Sequence, residues 1–197
     1  MKRIALLVGI AALTAACASS PPSSFYALRS VAPRGAAQGA AGSAGGNVRS
    51  PVRIAAVHIP PRLDRQEIVR LGSGSRLEIG GLERWGAPLD EMIQRVLTQD
   101  LLGRLPGGRV VLPSGPAPAG TDLIVLDVLE FQSDTSGTVR FEGSWSLLAP
   151  GASTPLAIHD FNYTETASPS AYAAEAAVMS RLLGRLADDI AASLPRH

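Results

Sequence analysis

The sequence predicts an α+β fold: a two-layer sandwich in which two long amphipathic helices cover a mixed, mostly antiparallel sheet. Three observations predict it. Apolar residues recur at three- and four-residue steps in two segments, 89–101 and 172–194. Residues 139–149 alternate between apolar and polar, as a strand with one wet face does. The first amphipathic segment lies between two β-branched runs, the order that a right-handed strand–helix–strand crossover requires.

The elements follow in chain order. Phe25–Arg29 is a short strand-like run, and Val52–Ile59 is an apolar, β-branched strand that stops at Pro60-Pro61. Glu67–Arg70 and Arg76–Ile79 flank Gly72-Ser73-Gly74-Ser75 as a hairpin. Pro88 opens a helix whose positive end suits Asp90 and Glu91, and Gly103 with Pro106 closes it. Its stripe is Leu89, Met92, Ile93, Val96, Leu97 and Leu101. Val110–Leu112 is a short strand, able to pair in parallel with 52–59. Asp122–Phe131 carries apolar residues on both faces and is expected as a central, covered strand. In 139–149, Val139, Phe141, Trp145 and Leu147 point one way and Arg140, Glu142, Ser144 and Ser146 the other. Leu156–Thr164 completes the meander. Ser168-Pro169 caps a last helix of about 24 residues, with Tyr172, Ala176, Met179, Leu183, Leu186, Ile190 and Leu194 buried and Arg181, Arg185, Asp188 and Asp189 wet.

Composition limits the chemistry. The chain has 197 residues, 46% of them hydrophobic, enough for one core. Lys2 is its single lysine, and without the first sixteen residues sixteen basic side chains face seventeen acidic ones. A near-neutral surface with interspersed signs offers no footprint for nucleic acid. No nucleophile elbow, phosphate loop or metal-binding spacing is present, so neither catalysis nor a cofactor is expected. His58 and His159 fall in predicted strands far apart in the chain, and His197 is the last residue.

The N-terminus is an address. Lys2 and Arg3 precede a ten-residue apolar stretch, Ile4–Leu13, and small residues follow at 14–16. Ten residues span roughly 15 Å as a helix, half a bilayer core, so residues 1–16 are expected to be a signal peptide and not a membrane span. Cys17, the single cysteine, comes directly after it. The segment resembles a bacterial lipoprotein lipobox, Leu-(Ala/Ser)-(Gly/Ala)-Cys, with Leu13 one position further out than usual and Thr14 in its place. The resemblance implies that Cys17 is acylated and anchors the chain to a membrane. By the sorting rules of such lipoproteins, Ala18 implies the outer membrane. Residues 17–24 then form a tether that Pro21-Pro22 stiffens. Residues 25–197 form one domain, in which the Gly/Ala/Ser-rich stretch within 33–50 is a flexible loop.

Two blocks carry a second resemblance. Leu63-Asp64-Arg65 runs into Ile68-Val69, and Arg84-Trp85-x-x-Pro88-Leu89 opens the first helix. Tyr26-x-Leu28 and Leu186-Ala187-x-x-Ile190-Ala191 add to them. Together they resemble the ABC-transport auxiliary lipoproteins, the family of paraquat-inducible protein C, over almost the whole mature chain. The resemblance implies a non-enzymatic component of an MCE-type (mammalian-cell-entry-type) lipid transport system. There an MCE-domain protein crosses the periplasm from an ABC permease and ATPase, and the lipoprotein docks it at the outer membrane. Other readings stay open: a periplasmic carrier that binds phospholipid in its own cavity, or an envelope-assembly lipoprotein.

Each block residue has a structural reading beside a partner-binding one. Asp64 accepts backbone N–H bonds in the turn after Pro60-Pro61, with Arg65 paired to it or to a partner's carboxylate. Trp85, following Arg84, fills the gap between hairpin and helix, or else stands out as an aromatic anchor. Ile68 and Val69 leave a sheet edge open for strand addition, or belong to the core.

Overall fold

A computed structural model describes residues 21–33, 50–168 and 171–194. Seven strands form one mixed sheet: β1 (Ser24–Tyr26), β2 (Val52–His58), β3 (Glu67–Leu71), β4 (Leu77–Trp85), β5 (Asp122–Asp134), β6 (Thr138–Leu148) and β7 (Ala157–Thr166). Helices α1 (Leu89–Leu102) and α2 (Tyr172–Ser193) lie together on one of its faces. The expected α+β sandwich is the observed one.

The spatial order is β1-β4-β3-β5-β6-β7, and β2 also pairs with β5. β5 is thirteen residues long, and two shorter strands share one of its edges end to end. β2 pairs in parallel with 122–127, while β3 pairs in parallel with Ser133 and Asp134. The loop that enters β3 crosses the gap between them, and the Arg62 guanidinium donates to the Leu129 carbonyl at 2.7 Å. β5–β6–β7 is the antiparallel meander that the alternating pattern predicts.

The core lies between the sheet and the helix pair. The whole α1 stripe is buried, as are Ile54, Ile124, Leu126, Phe131, Val139, Phe141, Trp145 and Leu147 from the sheet. Phe141 packs at 4.2 Å from the Phe131 ring centroid and 4.7 Å from that of Phe161, so aromatic contact joins three adjacent strands. Gly143 sits in the same inward row. A Cβ there would overlap the Asp127 carbonyl oxygen and lie 3.0 Å from Phe161 Cζ. A side chain is thus excluded where the aromatic ring lies over the strand.

The structure corrects several expectations. β5 is covered on one face only, and Leu129 on the other is 60% exposed. A bulge between Val128 and Glu130 shifts the phase, so that Phe131 turns inward where strict alternation would place Glu130. Residues 110–112 make a single parallel bridge, Val110 to Val52, because the chain turns away into the Pro/Gly loop. The sheet holds three parallel pairings, β1–β4, β2–β5 and β3–β5, where one was expected. β4 runs on through Gly80-Gly81 to Trp85, well past the hairpin strand read from the sequence. Helix α2 spans 22 residues and starts after Ala171, which offers no side-chain cap; Pro169 lies outside the described residues.

Gly143→Ala is expected to lower stability by about 2–3 kcal/mol, since overpacking against fixed backbone cannot relax. Gly107→Ala, with open space around the added carbon, should be close to neutral. Urea unfolding of the two variants beside the parent protein measures the difference.

Candidate functional site

The segment 28–31 is fixed by buried polar chemistry. Leu28 is buried, and the backbone around it bonds to both helices. Arg29 N–H donates to Ser180 Oγ at 3.0 Å on α2. The Ser30 hydroxyl and the Val31 N–H donate to Asp100 Oδ1 on α1, at 2.6 and 2.8 Å. Arg104, directly after α1, completes the knot. Its guanidinium donates to Asp188 Oδ1 at 2.6 Å, to the Gly184 carbonyl at 2.9 Å, to the Val31 carbonyl at 3.1 Å and to the Asp100 carbonyl at 3.0 Å. The missing Gly184 side chain allows this approach: a Cβ there would come 3.3 Å from Val31 and 3.4 Å from Arg104. Burial pushes the Asp100 carboxyl above its ordinary range, opposed by the bonds from Ser30 and Val31 and by the Arg104 charge. Asp188 was expected on the wet side of α2; it is instead Arg104's ion-pair partner.

The two sequence blocks meet at a second centre. Leu63, Ile68, Val69 and Trp85 are all buried, and with Leu89, Phe131 and Met179 they wall a pocket between sheet and helices. Its free volume is about 10 Å³, room for a single water and far too small for an acyl chain. Glu175 lines it and pairs with Arg70. Arg70 Nη2 lies 2.7 Å from Glu175 Oε1, and Nε donates to Oε2 at 3.1 Å, an ion pair with side chains 12% and 3% exposed. The Ser133 hydroxyl donates to Glu175 Oε2 at 2.7 Å, and the Tyr172 ring lies 3.5 Å beneath the guanidinium carbon. The sequence placed Tyr172 on the buried face of the last helix but did not single out Arg70, Ser133 or Glu175. The one usable signal was Glu175, which sits three residues after Tyr172 on an otherwise apolar helix face.

This placement answers the alternatives left open by the sequence. Trp85 is core, and its N–H donates to the Gln66 carbonyl at 2.7 Å. β3 lies between β4 and β5 in the sheet, its register with β5 covers Arg70 and Leu71, and Ile68 and Val69 are buried in the core. Leu63 closes the turn by donating its N–H to the Pro60 carbonyl at 2.8 Å. Asp64 is exposed and accepts no hydrogen bond among the described residues, because Arg65 turns to Glu67 instead, with Nε 3.1 Å from Oε2. Glu67's own backbone N–H first, and then that contact, lower the Glu67 carboxyl from its ordinary value. Arg84 is half-buried, and its Nε has no hydrogen-bond partner among the described residues. Cys17 lies outside the described residues.

His58 Nδ1 lies 2.8 Å from Asp127 Oδ1 on the uncovered sheet face, and Ser144 is Asp127's register neighbour on β6. The carboxylate thus stands between histidine and serine, and the imidazole is two strands from the hydroxyl. No group of three or more His, Cys, Asp or Glu residues able to hold a metal occurs among the described residues. Tyr163 donates its hydroxyl to Asp189 and lies under the Arg185 guanidinium. Burial first, and then that hydrogen bond, raise its phenol well above the ordinary 10.0.

Residues 26–191 match the family described as the ABC-type transport auxiliary lipoprotein component. The chain belongs to that family. Among curated proteins none matches. The fold resembles the crystal structure of an uncharacterized protein, with a TM-score of 0.71 and 20% identity over 89% of this chain and all of that one. It also resembles protein XCC0632 from Xanthomonas campestris, of the family DUF330, with a TM-score of 0.66 and 18% identity over 86% and 93% of the two chains. An ABC-type auxiliary lipoprotein is an accessory to a transport system, anchored in the cell envelope. No helix among the described residues is long and apolar enough to cross a membrane.

Two outcomes follow for this auxiliary lipoprotein. Arg70→Met and Glu175→Leu should each cost about 3–5 kcal/mol, because each strands a buried charge, while the double variant should cost less than their sum. Urea denaturation of the three variants tests this. For Tyr163 the folded phenol lies above the unfolded one, so its contribution is complete below pH 10.0 and is lost as pH rises further. Tyr163→Phe should therefore flatten the alkaline fall in stability, read from thermal unfolding between neutral and strongly alkaline pH.

Proposed function

We propose that the chain is a non-enzymatic docking lipoprotein of an MCE-type lipid transport system. Residues 1–16 direct export, acylated Cys17 holds the mature protein on the periplasmic face of the outer membrane, and residues 25–197 form the docking domain. The partner is a periplasmic MCE-domain protein, supplied with lipid by an ABC permease and ATPase. The observation that carries this reading is the family membership of residues 26–191, taken together with the lipobox that ends at Cys17. The packing supports it. The segment 28–31 is bolted to both helices, so a pull on the anchor is borne by the whole body. The enclosed space of about 10 Å³ is suited to a rigid dock and not to a lipid carrier.

Within the blocks, the partner contacts fall to the exposed side chains of Asp64 and Arg65 and to the outer part of Arg84. Leu63, Ile68, Val69 and Trp85 shape that surface from beneath. One observation favours a second reading, that of a phospholipid carrier. An open groove of about 550 Å³ runs between residues 25–31 and α2, lined by Phe25, Val31, Ala173 and Ala177, with Arg29 and Arg181 beside it. Native mass spectrometry of the protein purified without its anchor separates the two, since retained phospholipid belongs to the carrier and a clean apo mass to the dock.

The docking reading predicts that the acylated protein, crosslinked in cells, co-purifies with an MCE-domain protein. Reversing both charges, Asp64→Arg with Arg65→Glu, should cut the recovered complex on the order of tenfold, the effect of about 1.4 kcal/mol. Absence of any MCE-domain protein from the parent complex would overturn the reading.

A further inference from the structure

One edge of the sheet carries a patch of exposed apolar side chains at the end where the tether enters. The facing of the strands can be followed residue by residue. Arg70 reaches Glu175 on α2 and so points into the helix layer. Its neighbour Leu71 therefore points to the uncovered face. Leu71 is in register with Leu77, which sets Leu77 on that face, and Ile79 follows two residues along β4. Ile79 is 49% exposed, Leu77 39% and Leu71 36%. Single exposed apolar residues need no explanation, but three side by side on one face of two adjacent strands form a patch.

The chain beyond the structure points to what covers it. β1 runs parallel to β4 with Ser24 opposite Glu83, so the tether arrives from the side of Leu77 and the hairpin turn. The β1 register covers Glu83–Trp85, and the β4 edge before Glu83 lies outside it. Seven residues separate Cys17 from Phe25, a reach of at most ~25 Å. Leu77 lies seven positions before Arg84, at most ~23 Å along the strand. The tether is thus long enough to bring Cys17 beside the apolar patch. By contrast Ile158, 62% exposed, lies on β7 at the opposite edge of the sheet.

We propose that Leu71, Leu77 and Ile79 dock the domain onto the lipid surface that holds Cys17. The contact is shallow and apolar, since Arg76 and Glu78 beside it carry opposite charges and give no basic field to draw anionic lipid. One acyl anchor fixes position but not orientation. A second contact on the same surface turns the body to one attitude, with the β6–β7 edge facing away from the membrane. The inference rests on the anchoring proposed for Cys17.

The test uses the full acylated protein in phosphatidylethanolamine–phosphatidylglycerol vesicles. Leu77→Cys, Ile79→Cys and Ile158→Cys each introduce one free thiol at an exposed position, labelled with an environment-sensitive fluorophore. With brominated lipids in the vesicles, the labels at 77 and 79 should lose most of their emission and the label at 158 should keep it. Co-flotation of protein with vesicles, and equal emission from all three labels, would overturn the docking and leave the anchor standing. A spectral shift at 77 and 79 that follows protein density and ignores bromination would assign the face to a second copy and likewise overturn it. Failure of the acylated protein to float would overturn the anchor, and the docking with it.

Discussion

The Arg104 guanidinium is the point on which the arrangement of this protein turns. Its side chain is 4% exposed, and it binds α1, α2 and the segment 28–31. A buried cation is tolerable only when its donors are satisfied, and Asp188, Asp100 and three backbone carbonyls share that work. Removing it would leave Asp100 and Asp188 near one another and three carbonyls unmatched. The helix layer would then lose its register on the N-terminal segment, and the entry point of β1 would move.

This knot also holds the first strand to the body. Here residues 28–31 are hydrogen-bonded to both helices, and β1 continues them into the sheet edge. The second buried ion pair, Arg70 with Glu175, ties the middle of the sheet to the start of α2. Between the two knots, the helices have no freedom to lift and open a lipid-sized cavity without stranding charges.

The elements most legible in the sequence are those where one periodicity acts alone. The α1 stripe is buried in full, and β6 alternates as read, because each has a single solvent boundary. Reading was poorest where an extra residue breaks the phase. The bulges in β5 and between β3 and β4 leave no mark in composition, yet they decide that Phe131 faces the core and that β4 runs on to Trp85. The candidate site divides in the same way. Leu63, Ile68, Val69 and Trp85 were visible as one constellation. Arg70, Ser133 and Glu175 were not, since no local pattern links residues up to 105 positions apart.

By itself the sequence determined the class of the fold and the family, because hydrophobic period and motif spacing are local properties of the chain. Only the tertiary structure decided that β3 lies between β4 and β5, that Trp85 is core, and which apolar residues remain on the outside. Those outcomes depend on which strands become neighbours. Pairing of that kind is set by the combined burial of the whole sheet against two helices, and no segment carries it alone.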